Sequence, residues 1–116
     1  MKELPLFKEL STDFFYTIEI EETLFTFRIF YNSRNDSWYL DISTDNYRLD
    51  NIKIVANYPL LDGYKALFPE LEGDLFVYRV NTSTNEEITF DNFDIDYKFL
   101  YFTESEVTQY KGQYGF

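Results

Sequence analysis

Phe14-Phe15-Tyr16-Thr17-Ile18-Glu19-Ile20, followed by Leu24-Phe25-Thr26-Phe27-Arg28-Ile29-Phe30-Tyr31, is the stretch that decides the fold. In the first run Phe14, Tyr16, Ile18 and Ile20 fall on one side, with Thr17 and Glu19 opposite. In the second, Phe25, Phe27, Ile29 and Tyr31 share a side against Thr26 and Arg28. A period of two marks a strand with one face in the core and one in water. Glu21-Glu22 stands between the runs, so the two strands are predicted to pair as a hairpin, although glutamate is a poor turn former.

The pattern continues on both sides. Leu4 to Leu10 is an apolar opening in which Pro5 favours an extended or edge position. Asn32 to Ser37 reads as a loop of side chains that bond their own backbone. Trp38 to Ser43 is a third strand, with Trp38, Leu40 and Ile42 alternating against Tyr39, Asp41 and Ser43. Thr44-Asp45-Asn46 turns the chain into a fourth strand, Tyr47 to Val55, broken near Asp50-Asn51. Leu60, Leu61, Tyr64, Leu67 and Phe68 have helical spacing, interrupted by Gly63 and stopped by Pro69. They predict one short helix or irregular turn near Leu60 to Leu67. A strand follows at Asp74 to Val80, then a turn at Thr82-Ser83-Thr84-Asn85, and a short strand or loop over Ile88 to Ile95. The last strand is Tyr97 to Thr103.

Closely spaced strands of this kind predict an all-β fold, a small antiparallel barrel or sandwich with one short helical insertion. The expected organisation is a single β domain over residues 1–103 and a C-terminal tail over 104–116. The expected core includes Phe27, Ile29, Trp38, Leu40, Ile42, Val77, Phe99 and Tyr101.

The chain has 116 residues, a common size for one domain, and should bury roughly two thirds of its unfolded surface. It has no cysteine, which excludes disulfides and thiolate chemistry. With 21 acidic and 10 basic residues its net charge is −11, so phosphate backbones and anionic lipid surfaces repel it, and neither nucleic acid nor membrane is an expected partner. No apolar run reaches membrane-spanning length and no long apolar leader opens the sequence, so a cytoplasmic product is expected. Aromatic residues make up 22% of the chain, more than a core of this size can hide. Some rings are therefore expected at the surface or in interfaces.

The sequence is poor in chemistry. Without histidine there is no Ser-His pair and no histidine metal ligand, and four scattered glycines build no phosphate loop. No catalytic residue, cofactor or metal is expected. The sharpest acidic cluster is Asp91-Asn92-Phe93-Asp94-Ile95-Asp96. It lacks the glycine and distal glutamate of a calcium loop and reads equally well as a solvated face. Trp38 could stack on a sugar, which keeps a carbohydrate-binding β module as the alternative, but its companions Leu40 and Ile42 favour a core position. A carboxylate-pair hydrolase is a third option.

Several pieces, in order, resemble the small baseplate plug proteins of contractile-tailed bacteriophages. They are the Leu4-Pro5-Leu6 opening, the Phe-rich hairpin with Arg28, Tyr31-Asn32-Ser33-Arg34, Trp38-Tyr39-Leu40-Asp41, Asn51-Ile52-Lys53-Ile54-Val55, Leu60-Leu61 with Tyr64, Leu75-Phe76-Val77 and Phe99-Leu100-Tyr101-Phe102. The match runs over about residues 4 to 103. It departs from the pattern at Ser37, where glycine is frequent, and in its longer tail. The resemblance implies a non-enzymatic structural component of a phage tail baseplate, a plug at the hub and tail-tube end. Hub and tail-tube proteins would be its partners, the assembled form a homo-oligomer, its place the virion, and its site of synthesis the host bacterial cytoplasm.

The tail from Glu104 to Phe116 carries no clear period. Its aromatic residues Tyr110, Tyr114 and Phe116 are the candidate partner-docking residues. Two arrangements remain open at this point: a tail that orders against a neighbour, and a tail that folds back over its own domain.

Overall fold

The computed structural model describes residues 1–80 and 87–114. Among the described residues seven strands form two antiparallel sheets. Strands β2 (Asp13–Ile20), β3 (Thr23–Asn32), β4 (Ser37–Ser43) and β5 (Arg48–Lys53) make a four-stranded meander in chain order. Strands β1 (Lys2–Glu3), β6 (Asp74–Arg79) and β7 (Tyr97–Phe102) make the second sheet, in the order β1-β7-β6. The sheets do not close into a barrel, so of the two expected architectures the sandwich is the one found.

The alternation in the opening stretch is what drives the layers together. Phe25, Phe27 and Ile29 of β3, and Trp38, Leu40 and Ile42 of β4, point inward and are essentially without exposure. From the other sheet come Leu75, Val77, Tyr97 and Phe99. The Phe27 and Phe99 rings meet across the sandwich with centroids 5.8 Å apart. All eight expected core residues are buried. Each Phe buried this way contributes about 1.5–3 kcal/mol relative to leaving it in water.

The β2–β3 turn shows how glutamate serves where glycine or asparagine is usual. Glu21 and Glu22 both adopt left-handed backbone, φ 52° and 68°, the conformation a two-residue hairpin needs to match strand twist. The Glu21 carboxylate then accepts hydrogen bonds from the backbone N–H of Glu72 at 3.0 Å and of Gly73 at 3.3 Å. The hairpin tip is thus tied to the entrance of β6. Gly73 is required there, because a Cβ would lie 2.0 Å from the Phe102 carbonyl oxygen.

The expected helical insertion is a turn-rich segment ending in one 3-10 turn, Lys65–Leu67. It buries Leu60, Leu61, Phe68 and Leu71. The Lys65 ammonium donates to the carbonyls of Leu71 and Gly73, and burial lowers its pKa. Asp74 closes the segment by accepting from the N–H of Leu61 at 3.1 Å and of Leu75 at 2.7 Å. Between β5 and this insertion the chain crosses from sheet to sheet. The Ile54 N–H donates to the Trp38 carbonyl at 2.9 Å and the Asn57 N–H to the Val77 carbonyl at 2.8 Å, which stitches one side of the sandwich.

The break expected near Asp50-Asn51 is a register shift between Leu40 and Ile42, with Asn51 left-handed at φ 60°. Ile88 to Ile95 is loop and turn, with one isolated bridge at Phe93. The turn expected at Thr82-Ser83-Thr84-Asn85 lies outside the described residues. The tail corrects an expectation: where no regular structure was foreseen, an α-helix, α1, spans Glu104–Tyr114. Thr103 and Glu106 form its capping box, with Glu106 accepting from the Thr103 N–H at 3.0 Å. The helix lies over its own three-stranded sheet.

Candidate docking surface

The outward face of the four-stranded sheet carries three aromatic rings, Phe15 exposed and Phe30 and Tyr39 half-buried. Pairing sets the arrangement: Phe15 of β2 stands opposite Arg28 of β3, and Arg28 opposite Asp41 of β4. In the neighbouring row Asp13 faces Phe30, Phe30 faces Tyr39, and Tyr39 faces Lys53. Phe15 is 76% exposed, an unusual position for phenylalanine on a rigid strand.

Arg28 organises the face. Its Nε donates to Asp13 Oδ1 at 2.9 Å and its Nη2 to Asp13 Oδ2 at 2.6 Å, a two-pronged grip. Nη1 reaches Asp41 Oδ2 at 3.4 Å. The guanidinium also stacks over the Phe30 ring, 4.4 Å from its centroid. Phe30 in turn stacks on Tyr39, with centroids 5.6 Å apart and planes 20° from parallel. The Tyr39 hydroxyl accepts from the Asn35 amide at 2.7 Å. The side-chain hydrogen bond from Arg28 holds the Asp13 carboxyl below its ordinary pKa.

Asp41 was placed on the outward side of its strand, and it is there, yet it is buried. Arg28 covers it, and its other oxygen accepts from the Asn51 N–H at 2.8 Å. One carboxylate therefore fixes both the central arginine and the bulge of β5. The exposed Arg28–Asp13 pair adds at most about 1 kcal/mol to stability. Its effect is positional: Arg28 is pre-ordered at the centre of a flat aromatic patch, as befits an interface anchor.

The other sequence candidates fall elsewhere. Tyr110 lies on α1 with its ring buried against Phe76 at 5.0 Å, and its hydroxyl donates to the Asn57 carbonyl at 2.8 Å. Tyr114 is the last residue of α1, and Phe116 lies outside the described residues. Of the three, only Tyr110 has a described side chain, and it sits against the three-stranded sheet rather than the Phe15–Arg28 face. Trp38, on which the sugar reading rested, is buried among Tyr31, Phe90 and Phe93, and among the described residues its indole N–H finds no hydrogen-bond partner. In the acidic cluster, Asn92 works as an internal brace, accepting from the Thr89 N–H at 2.7 Å and donating to the Glu87 carbonyl at 2.9 Å. Among the described residues no group of three or more acidic side chains is placed to hold a metal. No helix among them is long and apolar enough to cross a membrane.

The sequence reading did not single out Phe15, Phe30 and Tyr39. The signal was available: each occupies an outward position of a strand whose inner face was already assigned.

Comparison with known families finds that the model described as cyanophage baseplate Pam3 plug gp18 matches residues 1–105. No curated protein matches the chain.

Proposed function

The chain belongs to the cyanophage baseplate Pam3 plug gp18 family, and on that premise we propose that it is a non-enzymatic structural plug at the hub and tail-tube end of the baseplate. As a member of a baseplate plug family it is a virion component. In this reading it is made in the host bacterial cytoplasm and joins hub and tail-tube proteins as a homo-oligomer. The observation that supports docking through protein surface is the outward sheet face on which exposed Phe15 and Arg28 stand beside half-buried Phe30 and Tyr39. Large rings held on a rigid sheet bind with little loss of side-chain freedom. The net charge of −11 steers the chain toward a basic partner surface. Tyr110, Tyr114 and Phe116 make up a second docking element in the same reading.

The test is the Phe15→Asp, Arg28→Glu double variant, first shown to melt close to the parent and then expressed during phage assembly. The expected result is loss of the variant from purified virions. Normal incorporation would sink the assignment of this face, and absence of the parent protein from virions would sink the baseplate role.

A further inference from the structure

A second aromatic face lies on the opposite side of the molecule, and α1 covers it. Phe76, Leu100 and Phe102 point out of the three-stranded sheet, away from the sandwich interior, and form a separate buried cluster with Tyr110. The Phe76 and Phe102 rings stack 4.4 Å apart. Tyr110 enters this cluster edge-on, with its centroid 6.0 Å from Phe102 and 5.9 Å from Tyr78.

The cover is slight. From Glu104 to Gly112 only Tyr110 is buried, with Glu106 and Val107 half-buried. A helix of this length does not persist alone in water, so it exists only while docked. A single residue, Thr103, separates its start from the end of β7. Save for its first two residues, α1 also lies beyond the stretch that the family model matches. The residues of the apolar face thus lie within the matched stretch, and most of their cover lies beyond it.

We propose that α1 exchanges between copies: in the assembled plug the helix of one copy lies across β6 and β7 of the next, with Tyr110 seated against the neighbour's Phe76 and Phe102. The complement of that face is already written in the chain, so exchange needs no new surface and repeats the ring contacts of the closed form. A change in the backbone at Thr103 suffices to redirect the helix. Continued around a ring, the exchange links copies through the tail, and Tyr110 becomes the docking residue that its closed position conceals. The location in a virion rests on the baseplate reading; the exchange itself is a property of the chain.

A photo-crosslinker, p-benzoylphenylalanine, placed at Val107 tests this, with Lys111 as a second, exposed position that leaves the packing intact. Isotope-labelled and unlabelled copies are mixed so that links between copies are distinguished from links within one. The dilute purified chain is expected to give links within one copy. In virions, links should join two copies and map to peptides containing Phe76 or Phe102. Links confined to one copy in virions, or made only to another protein, overturn the exchange while leaving the baseplate role intact. If the protein is absent from virions the baseplate role fails instead. The exchange is then decided on the concentrated purified chain, where between-copy links rising with concentration support it and their absence at every concentration refutes it.

Discussion

Arg28 grips Asp13 side-on, through Nε and Nη2, with both carboxylate oxygens engaged at 2.9 and 2.6 Å. The strands place these residues diagonally across the β2–β3 pair, so the bond spans the seam between them. The grip favours the charged form of Asp13 and lowers its pKa from 3.8. A lowered carboxyl contributes stability above its unfolded pKa and loses it as pH falls through the folded value. Asp13→Asn should therefore cost under about 1 kcal/mol at neutral pH, given the exposure of the pair. Urea midpoints of parent and variant should converge below pH about 4. A gap that persists undiminished in acid would show that the charge is not responsible.

Phe27 sits at the centre of the sandwich, against Tyr16, Phe25 and Phe99. Phe27→Ala should cost about 3–5 kcal/mol, because the rings around it cannot collapse into the space. Chemical denaturation measures this, and a parent-like midpoint would contradict the packing described.

Asp74 behaves in the opposite sense to Asp13. Its burial raises the carboxyl pKa above 3.8, only partly countered by the N–H groups of Leu75 and Leu61 and by the Lys65 charge. The folded chain then holds the proton more tightly than the unfolded one. The stabilisation is complete below the unfolded pKa and is lost as pH rises through the folded value. Asp74→Asn keeps a hydrogen-bond acceptor and removes the charge. Relative to the parent, its stability should climb with pH across that window, by up to about 1.4 kcal/mol per pH unit. A difference independent of pH would rule out desolvation as the cause.

The two glutamates of the β2–β3 turn are expected to part company on substitution. A left-handed residue with a side chain costs roughly 1–2 kcal/mol, part of which glycine returns as chain entropy. Glu22→Gly should thus stabilise the fold by about 0.5–1 kcal/mol. Glu21→Gly should show no gain, because the carboxylate that holds the Glu72 and Gly73 amides disappears with it. Thermal melts of the two variants compare them directly; equal shifts would mean that the Glu21 contacts carry no weight.

Much of the meander was legible because its strands are half-buried. Where Thr17, Glu19, Thr26 and Arg28 alternate with large apolar residues, one face is wet and the pattern reports it. The second sheet is different. Leu75-Phe76-Val77 and Phe99-Leu100-Tyr101-Phe102 are apolar at successive positions because the sandwich interior lies on one side and α1 on the other. Such runs announce a strand but not what covers its far face. The helix itself was unreadable: among the described residues its apolar contacts with the sheet come from Val107 and Tyr110 alone, too few to set a period. The docking face was half legible, since outward positions were known, but not the Arg28–Asp13–Asp41 arrangement. That depends on cross-strand register, which no single strand contains.

The pairing of β1 with β7 joins Lys2 to Tyr101 and Glu3 to Leu100. Nearly the whole chain lies between these partners, whereas the four-stranded meander pairs only consecutive strands. Loop closure over that distance is entropically expensive, so long-range pairing forms late. During synthesis the meander can assemble behind the ribosome while β7 is still inside it. Until β7 emerges, β6 has no partner strand and the opposing layer is incomplete, so Phe25, Phe27 and Trp38 remain partly open to other chains. Folding of this chain is therefore a race between completion of its own C-terminal strand and encounter with a neighbour, and slow translation between β5 and β7 lengthens the hazard.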